Sequence, residues 1–177
     1  PLDRRSIVTS VTAYNQELIR KAIYRELNRQ GQVFFLHNRV QSIQKKAWEI
    51  QQLAKDARIG IAHGQMSKRE LEDAMVRFVL GAIDVLVCTT IIESGLDIPN
   101  VNTIVIDRAA NLGLAQLYQL RGRVGRSAEK AYAYLLYGRE EALSEQARQR
   151  LQAVFEASEL GAGCGTGSWG VRSSRSW

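Results

Sequence analysis

Apolar and polar positions alternate along this chain in two periods, and the switches between them mark out its elements. From residue 15 to 29, Leu18, Ile19, Ala22, Ile23 and Leu27 recur at helical spacing, and Gly31 is expected to stop that helix. Val33-Phe34-Phe35-Leu36 is a short, wholly apolar run of the kind a buried strand presents. Residues 41–55 return to the helical period through Ile43, Ala47, Ile50, Leu53 and Ala54, and Ile59–Ala62 is a second strand. Ser67 with Glu70 three residues later has the form of a capping box, followed by the stripe Leu71, Met75, Phe78 and Val79. Val85–Val87, Thr103–Ile106 and Ala131–Leu136 give three further strands, with helices expected over 114–121 and 141–157.

Strands separated by helices pair in parallel, because a parallel return needs a crossover element. The expected fold is therefore a doubly wound, mostly parallel α/β sheet with helices on both faces. In such sheets chemistry gathers in the loops beyond the carboxyl ends of the strands. Those loops carry His37-Asn38-Arg39, His63-Gly64-Gln65-Met66 and the stretch from Cys88 to Pro99, all rich in small or polar groups that suit phosphate oxygens.

Composition narrows the classes. The chain has 177 residues, 45% of them hydrophobic, which suffices for one well-cored domain and not for two large ones. A net charge of +6 suits an anionic partner such as nucleic acid. Apolar runs are strand-sized and far below the roughly 20 residues of a membrane span, so no membrane partner is expected. Cys88 and Cys164 form no disulfide framework and no metal-ligand spacing with His37 or His63. Reduced thiols and a cytoplasmic location follow as the expectation, with Cys88 a buried core thiol and no metal site.

The most specific segment is Gln119-Leu120-Arg121-Gly122-Arg123-Val124-Gly125-Arg126. Guanidinium groups separated by glycines suit a crowded oxyanion, which each can bind through two parallel hydrogen bonds. No Gly-x-x-x-x-Gly-Lys-Ser/Thr loop accompanies them, so the phosphate they would serve must be held elsewhere. Asp107, at the end of an apolar strand, reads as a cap or ion-pair partner, not a magnesium ligand. Guanidinium groups walled into the domain, or turned to the opposite edge of the sheet, would count against this reading.

These residues resemble the second, C-terminal RecA-like lobe of superfamily 2 helicases. His37-Asn38 resembles motif IV, Val87 to Pro99 motif V, and Gln119 to Arg126 motif VI. Thr89 to Pro99 and Gly113 to Arg126 are similar to the RecG-like branch. Cys88 and Ala131–Leu136 are closest in wording to those members of the branch that couple transcription to DNA repair. The resemblance implies a RecA-like lobe over 1–138, the start of a helical hairpin extension over 139–163, and a tail over 164–177 that reads as disordered or non-native.

It also implies roles. Arg123 and Arg126 would stabilise γ-phosphate charge as the catalytic arginines, with Gly95, Asp97 and Gln119 near the nucleotide. His37, Asn38, Gly64, Arg69, Thr89 and Thr90 would touch the nucleic-acid backbone. ATP and Mg²⁺ would be bound mainly by a first lobe, and none by this chain alone, which is expected to be inactive by itself. The partners implied are double-stranded DNA, that first RecA-like lobe, and RNA polymerase through other domains of a longer protein. Two rival readings remain open: a fork-remodelling helicase of the RecG type, and a non-hydrolysing interaction module that binds nucleic acid or protein.

Overall fold

A computed structural model describes residues 7–90, 101–125, 129–138, 143–162 and 168–169. Its sheet runs in the order β3-β4-β2-β5-β6-β1-β7, with every pairing parallel. The strands are β1 (Ile7–Ala13), β2 (Val33–Leu36), β3 (Ile59–Ala62), β4 (Val85–Cys88), β5 (Thr103–Ile106), β6 (Ala131–Tyr137) and β7 (Ser168–Trp169). The helices are α1 (Gln16–Asn28), α2 (Val40–Leu53), α3 (Lys68–Val79), α4 (Leu114–Arg121) and α5 (Glu145–Ala162).

The strands are apolar on both sides because both sides are covered. Val33, Phe35, Val85, Val87 and Val105 meet Ile19, Ile23, Ile43 and Ile50 of α1 and α2 on one face. The alternate residues Phe34, Leu36, Leu86, Ile104 and Ile106 meet Leu71 and Phe78 of α3, Leu117 and Leu120 of α4, and Leu151 and Val154 of α5 on the other. The doubly wound arrangement follows directly from this period-two division of the strand residues. Phe34 and Phe78 meet edge to face with ring centroids 6.4 Å apart.

Local signals set the helix starts. Asn15 Oδ1 accepts hydrogen bonds from the Glu17 and Leu18 amides at 3.0 and 3.2 Å and begins α1. Ser67 and Glu70 exchange side-chain bonds at 3.2 and 2.9 Å in the expected capping box of α3. The end of α1 differs in detail from expectation. Gln30, with φ 59°, takes the left-handed conformation, while Gly31 leaves room for the Glu26 carboxylate that a Cβ would strike.

Two strands lie outside the expected five. β1 is a β-branched run whose centre holds buried Thr9 and Ser10, and polar atoms inside a strand blunt the apolar signal. Within the tail, Ser168 and Trp169 pair with Ser10 and Val11, where β1 would otherwise offer an open edge. Of the described helices, none is long and apolar enough to cross a membrane.

Candidate functional site

Leu36 stands in register with Cys88 and with Ile106, and Ala62 with Cys88, so four strands end in one row. The ladder continues one residue further: His37 N donates to Cys88 O at 2.8 Å, Asp107 N to Leu36 O at 2.9 Å and Thr89 N to Ala62 O at 3.1 Å. The expected clustering of His37, Thr89 and the His63–Met66 turn at the carboxyl ends is thereby produced by strand register. Here α2 leaves β2 over one face and α4 follows β5 over the other, so the β2–β5 boundary is the topological switch point of the sheet.

His37 occupies that boundary and is only 4% exposed. Its Nδ1 lies 2.7 Å from Asp107 Oδ2 and its Nε2 lies 2.7 Å from Ser42 Oγ. A carboxylate oxygen accepts, so Nδ1 donates to Asp107, while the Ser42 hydroxyl engages Nε2. Both ring nitrogens are thus engaged inside the fold. The expectation that His37 itself touches a nucleic-acid backbone does not fit this burial; it holds its loop in place instead. Asp107 is an ion-pair partner, as its sequence context suggests, with Lys46 Nζ at 3.9 Å, and it also accepts from His37.

Lys46 also donates to Tyr14 Oη at 3.1 Å and pairs with Glu49 at 3.1 Å. Burial alone would lower its pKa, but the Tyr14 hydroxyl and the Asp107 and Glu49 carboxylates outweigh burial and hold it above the ordinary lysine value. Sequence reasoning missed Tyr14, Ser42 and Lys46. Their partners lie on other elements, and only the strand-end position of Asp107 gave a signal.

Asn38 is exposed beside this buried network, and its Oδ1 accepts from the Thr90 amide at 3.2 Å and the Thr90 hydroxyl at 2.9 Å. The two loops are therefore tied together at the surface. Thr89 is buried and Thr90 half-buried, so Thr90 is the more accessible of the two threonines. Gly64 is exposed, with open space where a Cβ would be, and Arg69 is exposed in the first turn of α3. Cys88 lies in the core, where burial pushes its thiol well above the usual range. Gly95, Asp97 and Arg126 lie outside the described residues.

The arginine segment is placed differently from the loops. Val101 N donates to Arg123 O at 3.1 Å and Gly125 N to Val101 O at 3.0 Å, just ahead of the first residue of β5. Gly125, with φ +77°, sits so close to the start of β6 that a Cβ would come within 2.9 Å of Ala131 Cβ. Only glycine suits that backbone and that gap. Gly122, by contrast, is in ordinary right-handed conformation at the end of α4.

Arg123 is half-buried, so it is not walled in, and among the described residues no hydrogen bond or ion pair holds its side chain. Arg121 is pushed to a lower pKa by burial, and its Nε lacks a partner. Gln119 is exposed on α4. The arginine backbone therefore lies at the amino ends of β5 and β6, opposite the strand-end loops. Arg123 is thus not walled in, but its segment lies at the opposite end of the strands from the loops, the placement that counts against a reading in which both groups act from one surface: the strand length, roughly 15 Å, separates them.

Comparison with known proteins bears on this arrangement. Residues 14–128 match the family described as helicase conserved C-terminal domain. This chain belongs to that family. It is 55% identical over 163 residues to the transcription-repair-coupling factor of Bacillus subtilis (strain 168), covering 92% of this chain and 14% of that protein. It is 52% identical over the same length to the transcription-repair-coupling factor of Staphylococcus haemolyticus (strain JCSC1435), with the same coverage of each chain. The chain thus spans about one seventh of the length of these relatives.

Among solved structures, RecG bound to a three-way DNA junction superposes with a TM-score of 0.73 at 32% identity, over 90% of this chain and 22% of that one. Domain 2 of the DEAD-box helicase Mss116p, bound to an RNA duplex, superposes with a TM-score of 0.65 at 17% identity, over 96% of this chain and 65% of that one. The latter shares the fold, a RecA-like helicase C-terminal lobe.

Proposed function

We propose that this chain is the second motor lobe of an ATP-dependent double-stranded DNA translocase acting in transcription-coupled DNA repair. The observation that carries the reading is its continuous likeness to transcription-repair-coupling factors across nearly its whole length. The two groups of residues divide the work. Asn38, Thr90, Gly64 and Arg69 at the carboxyl ends meet the DNA backbone. Arg123 and Arg126 bring positive charge to the γ-phosphate of ATP held, with Mg²⁺, by a first RecA-like lobe, which must then face the amino ends of β5 and β6. Gly95, Asp97 and Gln119 would attend the same nucleotide.

The fit to a nucleotide is that of a contributor. A half-buried guanidinium without a side-chain partner can supply charge and bidentate hydrogen bonds, while this sequence has no phosphate-cradling loop to hold the ligand by itself. The bound nucleotide would supply the hydrolysable phosphoanhydride. RNA polymerase would be engaged through other parts of a longer protein.

Arg126→Ala in the complete two-lobe protein is expected to reduce DNA-stimulated ATP turnover by a factor on the order of 10³–10⁵, with the fold unchanged. Arg20→Ala, on the exposed face of α1, serves as the control and should retain turnover. Near-normal turnover in Arg126→Ala would refute the assignment. The likeness to RecG favours a second reading, a fork-remodelling lobe. Displacement of a stalled RNA polymerase by the full-length protein, with weak activity on model forks, would separate the first reading from the second.

A further inference from the structure

The crevice at the switch point contains more charge than the strand-end loops need. A cavity of about 310 Å³ opens at the carboxyl ends of β1, β2, β5 and β6, between them and α2. Among the described residues, four cations border it, Arg39, Lys45, Lys46 and Arg108, against two carboxylates, Glu49 and Asp107. Both carboxylates are already engaged by Lys46, and Asp107 also by His37. Arg39, Lys45 and Arg108 are exposed, and among the described residues none has a side-chain hydrogen bond or ion pair.

Arg108 adds an independent observation. Its backbone is left-handed, with φ 51° and ψ 46°, a conformation that few non-glycine residues adopt, and it fixes the path of the chain at the start of the turn Ala109–Asn111. It turns the chain directly after Asp107, at the mouth of the cavity.

We propose that this crevice is a binding site for a phosphoryl group, held by Arg39, Lys45 and Arg108 and separate from the Asn38–Thr90 surface. Three cations from the β2–α2 junction, from α2 and from the turn after β5 border one cavity, and together they suit a multiply charged tetrahedral oxyanion, whose oxygens point in several directions. A carboxylate, with one charge and two coplanar oxygens, would leave cations unmatched. The two guanidinium forks add bidentate geometry. A DNA backbone and a free polyphosphate present the same chemistry, and the site itself does not depend on the translocase reading.

The test is calorimetric titration of the full chain with inorganic tripolyphosphate at fixed physiological salt. Saturable binding is expected, weakened at least tenfold in Lys45→Gln/Arg108→Gln and unchanged in Arg20→Ala, on the exposed face of α1. Lys45→Gln alone, at an exposed helix position, should weaken binding measurably without altering the melting temperature, which guards against misfolding at Arg108. Competition by duplex DNA assigns the site to a backbone phosphate, and its failure assigns the site to a free anion. Absence of saturable binding, equal affinity in the double variant, or equal loss in Arg20→Ala overturns the proposal. DNA affinity of Asn38→Ala is read separately and bears only on the translocase reading.

Discussion

The two ends of the central strands are built on opposite principles. At the carboxyl ends, side chains lock one another: Asp107, His37 and Ser42 form a buried line, Lys46 joins it, and Asn38 ties β2's loop to β4's through Thr90. At the amino ends, the arginine segment is held by backbone bonds to Val101 and by the tight seat of Gly125, while the Arg123 side chain is left without a partner. A surface that must present fixed geometry to a repetitive backbone gains from preorganised side chains. A group that meets its target only when another lobe arrives gains from a fixed backbone and an uncommitted charge. Side-chain removal should therefore affect stability at one end and turnover at the other.

The largest expected effect tests the amino end. Arg123→Ala in the complete two-lobe protein should lower DNA-stimulated ATP turnover by a factor approaching 10³, taking the lower range for an arginine finger. Its denaturation midpoint should stay where it is, because among the described residues none holds that guanidinium. A lowered midpoint with intact turnover would reverse the comparison and make Arg123 a structural residue.

At the carboxyl end, His37→Ala should cost about 1–3 kcal/mol, since it strands a buried Asp107 carboxylate. Urea unfolding at constant slope measures this directly. His37→Asn, whose amide nitrogen can stand near the Nδ1 position and donate to Asp107, should recover part of the loss. No recovery would mean that ring packing, not the hydrogen bond, is what His37 supplies.

Gly125→Ala sits between these two. The left-handed backbone costs an L side chain about 1–2 kcal/mol, and the added Cβ must push Ala131 away from the start of β6. Stability and turnover should fall together here, because the displaced segment carries Arg123. Loss of stability with full turnover would show that the arginines tolerate movement of their anchor.

How much of this was legible in the sequence follows from where the information lies. The strands from β2 to β6 and helices α1, α2 and α3 announce themselves through local periodicity, and the Ser67–Glu70 box through spacing alone. β1 was missed because its central residues are polar and become buried only when β6 and α5 close over them. The motif segments could be read, but their relative placement could not. That Asn38 and Thr90 share a bond while Arg123 lies at the far end of β5 is decided by sheet order, which no single segment encodes. His37 shows the same limit: its neighbours suggest an exposed loop, while its two partners, one of them 70 residues away, draw it inside.

The smallest effect is expected at Asn38. Its side chain accepts two bonds from Thr90 at the surface, where water can replace them, so Asn38→Ala should cost only about 0.5–1 kcal/mol of stability. DNA binding should suffer more than stability does, because the substitution removes a polar contact and frees the Thr90 loop at once. The loss should be nearly independent of base sequence, and a reduced slope of affinity against salt would mark the lost backbone contact. Thr90→Val separates the two causes: it keeps the loop's bulk and the amide bond to Asn38 but removes the hydroxyl. If Thr90→Val weakens DNA binding as much as Asn38→Ala, the hydroxyl and its tie to Asn38 matter most; if it leaves affinity intact, Asn38 meets the backbone itself. Unchanged DNA affinity in both variants would remove the carboxyl-end surface from the DNA path and leave the comparison resting on stability alone.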